Sequence, residues 1–292
     1  MTPTPIPILT APSSYASATY DPFHGLSESE AMSLKAFRAE HLATVMRGLT
    51  GTALDNEDEW TNDECLLLFL KAAKFDLDVA VSRLAATMQW RRDFRPTEID
   101  PAVVGPHCKF GDQFLTGFDK HGRPIMYTRP KHGYLHNKDP EGSIRYSLLL
   151  IEKAIKIMPK GVTKLTVITD FEGSTMFNGF ASAIYLKFLN ILATHYPERL
   201  GVAICIRPTW YLSFLYGVIA PFMDPITKKK LVFIKDASQS ASKPPAMDND
   251  EVGGWRDSIF EFVDVDQLRG EYGGDHHFNF DYDIYWEAFT KL

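Results

Sequence analysis

Cysteine is scarce in this chain: three among 292 residues, at positions 65, 108 and 205. An odd, widely spaced set in apolar or mixed surroundings supports neither a disulfide framework nor a zinc site. Buried free thiols in a reducing compartment are the expectation. An excess of basic charge is also lacking. The net charge of −6 argues against a dedicated nucleic-acid binder, whose contacts need a basic face. No apolar run reaches the roughly 20 residues that a membrane-spanning helix requires. The first twenty residues carry no charge, but they have neither the basic start nor the continuous apolar core of a signal peptide. Rich in Thr, Pro, Ser and Ala, they read as part of a disordered tail. A GxSxG elbow, a GxxxxGK[ST] loop and an HExxH helix are all missing. Asp170-Phe171-Glu172-Gly173 follows a strand but lacks the other kinase motifs, so it reads as a local turn. His276-His277 reads as a solvated pair, and His195 has no nucleophile or partner at a suitable spacing. The expectation is a soluble, non-enzymatic, cytoplasmic protein with no metal and no cofactor.

The most informative stretch that is present runs from His195 to Ile234. Its centre, Pro208 to Met223, has no charged side chain, yet Glu198, Arg199 and Arg207 lie on one side and Asp224 and Lys228 to Lys230 on the other. Tyr211, Leu212, Leu215, Val218, Ile219 and Phe222 recur at steps of three and four, which predicts a helix with one strongly apolar face. Trp210, Phe214 and Tyr216 widen that face beyond what one sheet covers. Gly201 to Ile206 and Leu231 to Ile234 read as buried strands, so strand, oily helix and strand form a crossover unit with parallel strands.

Upstream, Ser27 with Glu30 has capping-box spacing before a helical pattern from Ala31 to Leu49. Thr61 with Glu64 repeats the signature before Cys65 to Lys71. Asp76 or Asp78 can cap a third helix to about Arg92, burying Val79, Leu84, Met88 and Trp90. Asp100-Pro101 and Gly105-Pro106 read as breaks. Phe114 to Phe118 and Pro124 to Thr128 flank the polar turn Asp119 to Gly122, a hairpin signal. Ser143 to Met158 and Gly179 to His195 read as helices around a strand at Leu165 to Thr169. Asp236 to Gly254 reads as a surface loop and Trp255 to Phe262 as a short helix. Strands alternating with helices predict an α/β fold with a mixed, largely parallel sheet.

Several of these segments together carry a resemblance. Tyr196-Pro197-Glu198-Arg199, Asp224-Pro225-Ile226-Thr227 with Lys230, the Gly117 to Pro124 turn and Tyr272-Gly273-Gly274 are similar to the CRAL-TRIO family of lipid-binding proteins. Within it the chain resembles the yeast-type phosphatidylinositol transfer proteins, over about Thr61 to Trp286. The resemblance implies a tail over 1–25, an N-terminal helical bundle over 26–100, a CRAL-TRIO domain with a mobile gate helix over 101–275, and a C-terminal tail, 276–292, packed on that domain. It assigns headgroup binding to Glu198, Thr227 and Lys230. Lys74 matches one of two neighbouring basic residues that approach the phosphate in the family, whereas Ala73 stands where many members carry arginine. Tyr211, Leu212, Phe214, Leu215, Val218, Ile219 and Phe222 would form the gate helix and the acyl pocket.

Chemistry gives those roles their sense. At roughly 0.8 kcal/mol per buried methylene, exposing two long acyl chains to water costs more than about 20 kcal/mol, so the cavity must be nearly as apolar as a membrane. A phosphodiester in a partly dry mouth needs cations or N–H donors. The expected ligand is one phosphatidylinositol, exchanged transiently at membrane surfaces, with the endoplasmic reticulum, cell periphery and lipid droplets as destinations implied by resemblance. A sterol or phosphatidylcholine as cargo, a lipid-modifying esterase, and an adaptor presenting lipid to a phosphoinositide kinase are the alternatives.

Overall fold

Ser27 opens the first long helix with a reciprocal capping box: its hydroxyl accepts from the Glu30 amide and the Glu30 carboxylate accepts from the Ser27 amide. This and all other positions come from a computed structural model that describes residues 6–16, 20–132, 138–175, 182–208, 216, 228–234 and 255–292. Helix α1 (Glu28–Ala36) continues through a π-helical turn (Phe37–His41) into α2 (Leu42–Gly48). Helix α3 (Asp63–Ala72) starts one residue later than Thr61 and Glu64 suggest. Its cap is Asn62, whose side-chain oxygen accepts from the Cys65 amide at 2.9 Å. Thr61 instead donates to the Glu57 carbonyl at 2.9 Å, which closes the preceding helical turn. Helix α4 (Leu77–Phe94) is capped by Asp76, and Leu84 and Met88 are buried as expected. Val79 is not buried; at 45% exposure it lies on the solvent side of the first turn. Phe37, Leu66, Phe69, Leu84 and Met88 unite α1 to α4 in one apolar cluster.

The Asp100-Pro101 and Gly105-Pro106 pairs do not break the chain but form helix α5 (Pro101–Cys108). Asp100 caps it by accepting from the Ala102 amide at 2.8 Å, and Pro101 occupies the first position, where no N–H is needed. The predicted hairpin follows, with β1 (Gln113–Phe118) antiparallel to β2 (Pro124–Thr128). Asp119 shapes its turn by accepting from the amides of His121 and Arg123 at 2.9 and 3.0 Å, while Gly122 supplies the left-handed backbone with φ of 69°. Helix α6 (Pro140–Lys156), β3 (Leu165–Asp170), α7 (Ser182–His195), β4 (Leu200–Ile206), β5 (Leu231–Ile234), β6 (Trp255–Arg256) and α8 (Tyr282–Thr290) follow, with single helical turns such as Ser13–Ala16 and Glu57–Trp60 besides. Among the described residues the sheet has six strands in sequential order, parallel from β2 to β6. Trp255-Arg256, expected to begin a helix, instead pairs with Phe233 and Ile234, because that pairing satisfies the backbone edge that β5 leaves open.

The start of the chain also departs from expectation. Ile8 accepts from the Gly117 amide at 2.8 Å and donates to the Thr116 hydroxyl at 2.9 Å, so this segment lies along β1. Leu9 enters the core and Tyr15 donates to Asp264 at 2.6 Å. Composition hid this, because two apolar residues suffice to dock a segment whose backbone finds partners.

A buried ion pair joins the helical N-terminal part to the sheet domain. Arg91 on α4, 1% exposed, meets Glu152 on α6 at 2.8 Å, and the Tyr196 hydroxyl donates to the same carboxylate at 2.7 Å. Arg91 also lies 4.3 Å from the centre of the Trp60 ring. Burial alone disfavours the charged guanidinium, but Glu152 reverses that and raises its pKa. Arg83 donates to the carbonyls of Ala72 and Ala193 at 3.1 and 2.9 Å, placing one cation at the C-terminal ends of both α3 and α7. His195, at the end of α7, stacks on Trp90 with 4.2 Å between ring centres and pairs with the Thr87 hydroxyl at 3.1 Å.

Two predictions follow from this packing. Glu152→Ala strands Arg91 and the Tyr196 hydroxyl together, and costs about 3 kcal/mol in urea unfolding. The pair Arg91→Met with Glu152→Leu recovers most of that loss, because no buried charge remains. The second concerns pH. Burial, followed by the positive charge of Arg91, lowers the His195 pKa to about 4; burial, followed by Arg269 and His277, does the same to His276. Both are neutral in the fold and gain protons on unfolding below about pH 6.5, so stability is flat above that pH and falls toward pH 4. The lowered carboxyl pKa values of Glu57 and Asp139 add their loss only further into acid. Thermal unfolding from about pH 7.5 to about pH 4 will show this slope, and His195→Asn will make it shallower.

Candidate lipid headgroup site

Each of the strands β2, β3, β4 and β5 is entered through a basic residue: Arg123, Lys164, Arg199 and Lys230 stand immediately before Pro124, Leu165, Leu200 and Leu231. Because these strands run parallel, the four cations gather at one edge of the sheet. Glu198 lies among them in the turn between α7 and β4, with its backbone in the left-handed region at φ of 57°. Its carboxylate oxygen Oε2 is 3.5 Å from Lys230 Nζ and 3.7 Å from Lys164 Nζ. All three side chains are partly buried, with exposures of 23%, 16% and 31% in that order. Burial, then the neighbouring charge of Lys230, lowers the Lys164 pKa, and Arg123 and Lys71 are close enough to add to the effect. Arg123 reaches this edge by lying across Gly201. A Cβ there would meet the arginine side chain at 2.8 Å, so a larger residue would push the cation away.

The turn that holds Glu198 is fixed by its neighbours in sequence. His195 is clamped by Trp90 and Thr87, Tyr196 by Glu152, and Arg199 donates to the Thr163 carbonyl at 3.0 Å. Most of the His195 to Leu200 motif therefore does structural work, and Glu198 is the member that faces the cations. Glu198 and Lys230, both expected at the headgroup, are brought together. Lys74 occupies the left-handed residue of a hydrogen-bonded helix end after α3, with φ of 53°, and its side chain is exposed. Among the described residues it makes no ion pair. Thr227 and the expected gate residues Tyr211, Leu212, Phe214, Leu215, Val218, Ile219 and Phe222 lie outside the described residues. Sequence reasoning passed over Lys164 and Arg123, although the recurrence of a basic residue before successive strands was visible in the chain.

The two faces of the central strands differ. Thr166, Ile168, Val202, Ile204 and Val232 are buried, whereas Val167, Thr169, Gly201, Ala203 and Leu231 on the opposite face are half-buried. The register aligns Val167 with Ala203 and Ala203 with Leu231, so these side chains form one continuous, mostly apolar floor. The Glu198 cluster is at the N-terminal end of these strands. At the other end, Arg207, just beyond β4 with φ of 50°, forms a two-point pair with Asp170 and meets Glu172 at 3.0 Å. Tyr272 donates to Asp170 at 3.1 Å, and the Arg207 guanidinium lies 5.7 Å from its ring. Asp170 is thus an anchor for the exit of β4, and more than the local turn that sequence suggested.

Cys65, Cys108 and Cys205 are all free and buried, and burial pushes each thiol pKa up to about 12, so none is poised as a nucleophile. A cavity of about 400 Å³ lies away from the headgroup cluster, between α2 and α4, where His41, Val45, Leu49, Val81 and Ala85 line it. No helix of the described residues is long and apolar enough to cross a membrane, and no cluster of metal-ligating side chains occurs among them.

Comparison with known proteins agrees with this architecture. A CRAL-TRIO domain-containing protein of Schizosaccharomyces pombe is 32% identical over 239 residues, covering 82% of this chain and 21% of that protein. The phosphatidylinositol transfer protein PDR17 of Saccharomyces cerevisiae is 28% identical over 250 residues, covering 81% of this chain and 64% of its own length. The phosphatidylinositol transfer protein CSR1 of Eremothecium gossypii is 26% identical over 261 residues, covering 83% and 55%. The chain thus spans between about a fifth and just under two thirds of the length of these relatives. The crystal structure of Sfh5 has the same fold, with a TM-score of 0.57 and 20% identity over 73% of this chain and 82% of its own. Residues 111–274 match the profile of the CRAL/TRIO domain, which takes in all the described strands and the edge that carries Glu198, and the chain belongs to the CRAL/TRIO family.

Proposed function

We propose that this protein binds a single phosphatidylinositol and exchanges it between membranes, without catalysis. The observation that carries the reading is the pairing of Glu198 with Lys230 at the end of a half-open apolar floor. A lysine supplies charge to the phosphodiester, and a carboxylate accepts hydrogen bonds from inositol hydroxyls, which a choline headgroup does not offer. The names of two relatives support the same ligand class. Thr227, three residues before Lys230 in the chain, adds a hydroxyl donor in this scheme.

The acyl chains lie against Val167, Ala203 and Leu231. Exchange takes place at the membrane surface, because tails in transit through water would cost more than about 20 kcal/mol. The protein works in the cytoplasm and meets membranes peripherally. Lys228 and Lys229, which precede Lys230, add a weak attraction to anionic bilayers that salt screens.

Glu198→Ala and Lys230→Ala are expected to abolish phosphatidylinositol transfer between vesicles while shifting the thermal midpoint only slightly. Glu198 and Lys230 are partly solvated, and a surface ion pair is worth about 1 kcal/mol or less. Transfer at the normal rate in both variants removes the headgroup assignment. Hydrolysis of labelled phospholipid over many turnovers removes the non-catalytic reading.

A further inference from the structure

The described N-terminal residues form a strap that passes from β1 to the end of the sheet that carries Glu198. Ile8 accepts from the Gly117 amide near the end of β1, Leu9 is buried in the core, and Tyr15 donates to Asp264 at 2.6 Å. Tyr15 lies over the turn from β1 to β2. A Cβ at Gly122 would meet Tyr15 Cβ at 3.4 Å, and Pro159 Cγ and Val162 Cγ2 at 3.6 Å, so three segments converge on that glycine. Farther along the strap, a Cβ at Gly161 would overlap the Tyr20 carbonyl, and the Pro22 carbonyl accepts from Lys71 Nζ at 3.2 Å. These last three contacts each stand beside a cation. Gly122 immediately precedes Arg123, Gly161 comes three residues before Lys164, and Lys71 acts on Lys164 through its charge.

The pairing of β2 with β3 begins at Ile125 and Thr166, two residues beyond Arg123 and Lys164, so other contacts must fix the loops that carry these cations. The buried Asp119 ties the turn to Thr166, accepting from its hydroxyl at 2.6 Å. The partly exposed Tyr15 closes the same turn onto Pro159 and Val162 nearer the surface. Resting on the phosphatidylinositol reading above, we propose that the strap is a working part of the headgroup site and that Tyr15 is a positioning residue in it. By holding the β1–β2 turn against the 159–164 loop, Tyr15 keeps Arg123 and Lys164 at the separation in which both serve one bound headgroup. Cations held in place before the ligand arrives lower the ordering cost of binding. Loosening the strap therefore weakens binding without removing a charge.

The test is a mutant cycle on lipid binding. The protein is titrated with phosphatidylcholine vesicles containing phosphatidylinositol, the vesicles are removed, and the phosphatidylinositol retained is measured by mass spectrometry. Tyr15→Ala should weaken binding about fivefold, with the fold checked by circular dichroism. Arg123→Gln combined with Lys164→Gln should weaken it about tenfold, and Glu198 and Lys230 keep it measurable. Adding Tyr15→Ala to that pair should cost less than about twofold more, because the groups it positions are gone.

Losses that multiply give the strap a general structural role and overturn the proposal. Undiminished binding by Tyr15→Ala overturns it too, and either result leaves the phosphatidylinositol reading standing. No phosphatidylinositol retained by the unsubstituted protein removes both readings. A second measurement needs no substitution, and so stands even where a variant fails to fold. Loading with phosphatidylinositol should slow amide hydrogen exchange in residues 8–15 together with 119–123 and 159–164, because coupling between strap and site is reciprocal. Exchange in residues 8–15 that loading leaves unchanged overturns the proposal.

Discussion

The buried pair of Arg91 and Glu152 is the joint on which the geometry of the headgroup edge depends. It crosses from the helical N-terminal part to the sheet domain, and through Tyr196 it also grips the turn that presents Glu198. A charge pair in this position is a poor device for stability alone, because desolvation offsets much of its attraction. What it provides is definition. Arg91 has one place to go, Tyr196 has one acceptor, and the two residues between Tyr196 and Arg199 are left little freedom. Glu198 can therefore hold a left-handed backbone conformation that costs a non-glycine residue of order 1 kcal/mol. Its neighbours bear that strain, and the carboxylate is held ready beside two lysines.

The parallel sheet then divides labour between its ends. Chain direction places the residue before each strand at one edge and the residue after it at the other. At the first edge, Arg123, Lys164 and Lys230 share two carboxylates, Asp119 and Glu198, among the described residues. At the second, Arg207 is matched by Asp170 and Glu172 and stacked by Tyr272, so its charge is spent on holding the chain. The segment that leaves β4 therefore departs from a fixed post, and it returns to β5 through the lysine of the headgroup cluster. One apolar floor joins the two edges, so whatever occupies it is bounded by a receptive polar end and a satisfied one.

The sequence made the fold legible where local chemistry decides it. Ser27 with Glu30, Asp76, and the Asp119 to Gly122 turn each specify their own geometry within a few residues, and the apolar runs of β3, β4 and β5 announce buried strands. It misled where one local signal competes with another. Thr61 and Asn62 are both able to cap a helix, and Asn62 prevails while Thr61 finishes the turn before it. Pro101 looks like a break, yet at the first helical position a proline needs no partner for its nitrogen. For the site, Glu198 and Lys230 were readable through a family likeness. Lys164 was not, because its role arises only when β3 lies beside β4, a pairing between distant parts of the chain. Lys74 fits the motif by its letter and stands exposed at the end of α3.

On the proposed reading the protein must reconcile two demands that conflict in water, a surface greasy enough for fatty chains and a charged group that will not enter such a surface. The sheet resolves the conflict by direction rather than by distance. Side chains alternate across the strands, so the half-open face is floored by Val167, Ala203 and Leu231 without interrupting the buried Ile168 and Ile204 behind it. Polar chemistry is confined to the strand starts, where side chains reach past the end of the floor to solvent. Glu198 and its lysines can thus remain partly hydrated at 23%, 16% and 31% exposure, which keeps the cost of their charges low while the apolar area next to them grows. Moving the same three groups one strand position inward would place them over the floor, and their desolvation would consume the energy that burial of the tails supplies. On the proposed phosphatidylinositol reading, the position of the charges at the margin of the sheet lets one domain hold both halves of the lipid.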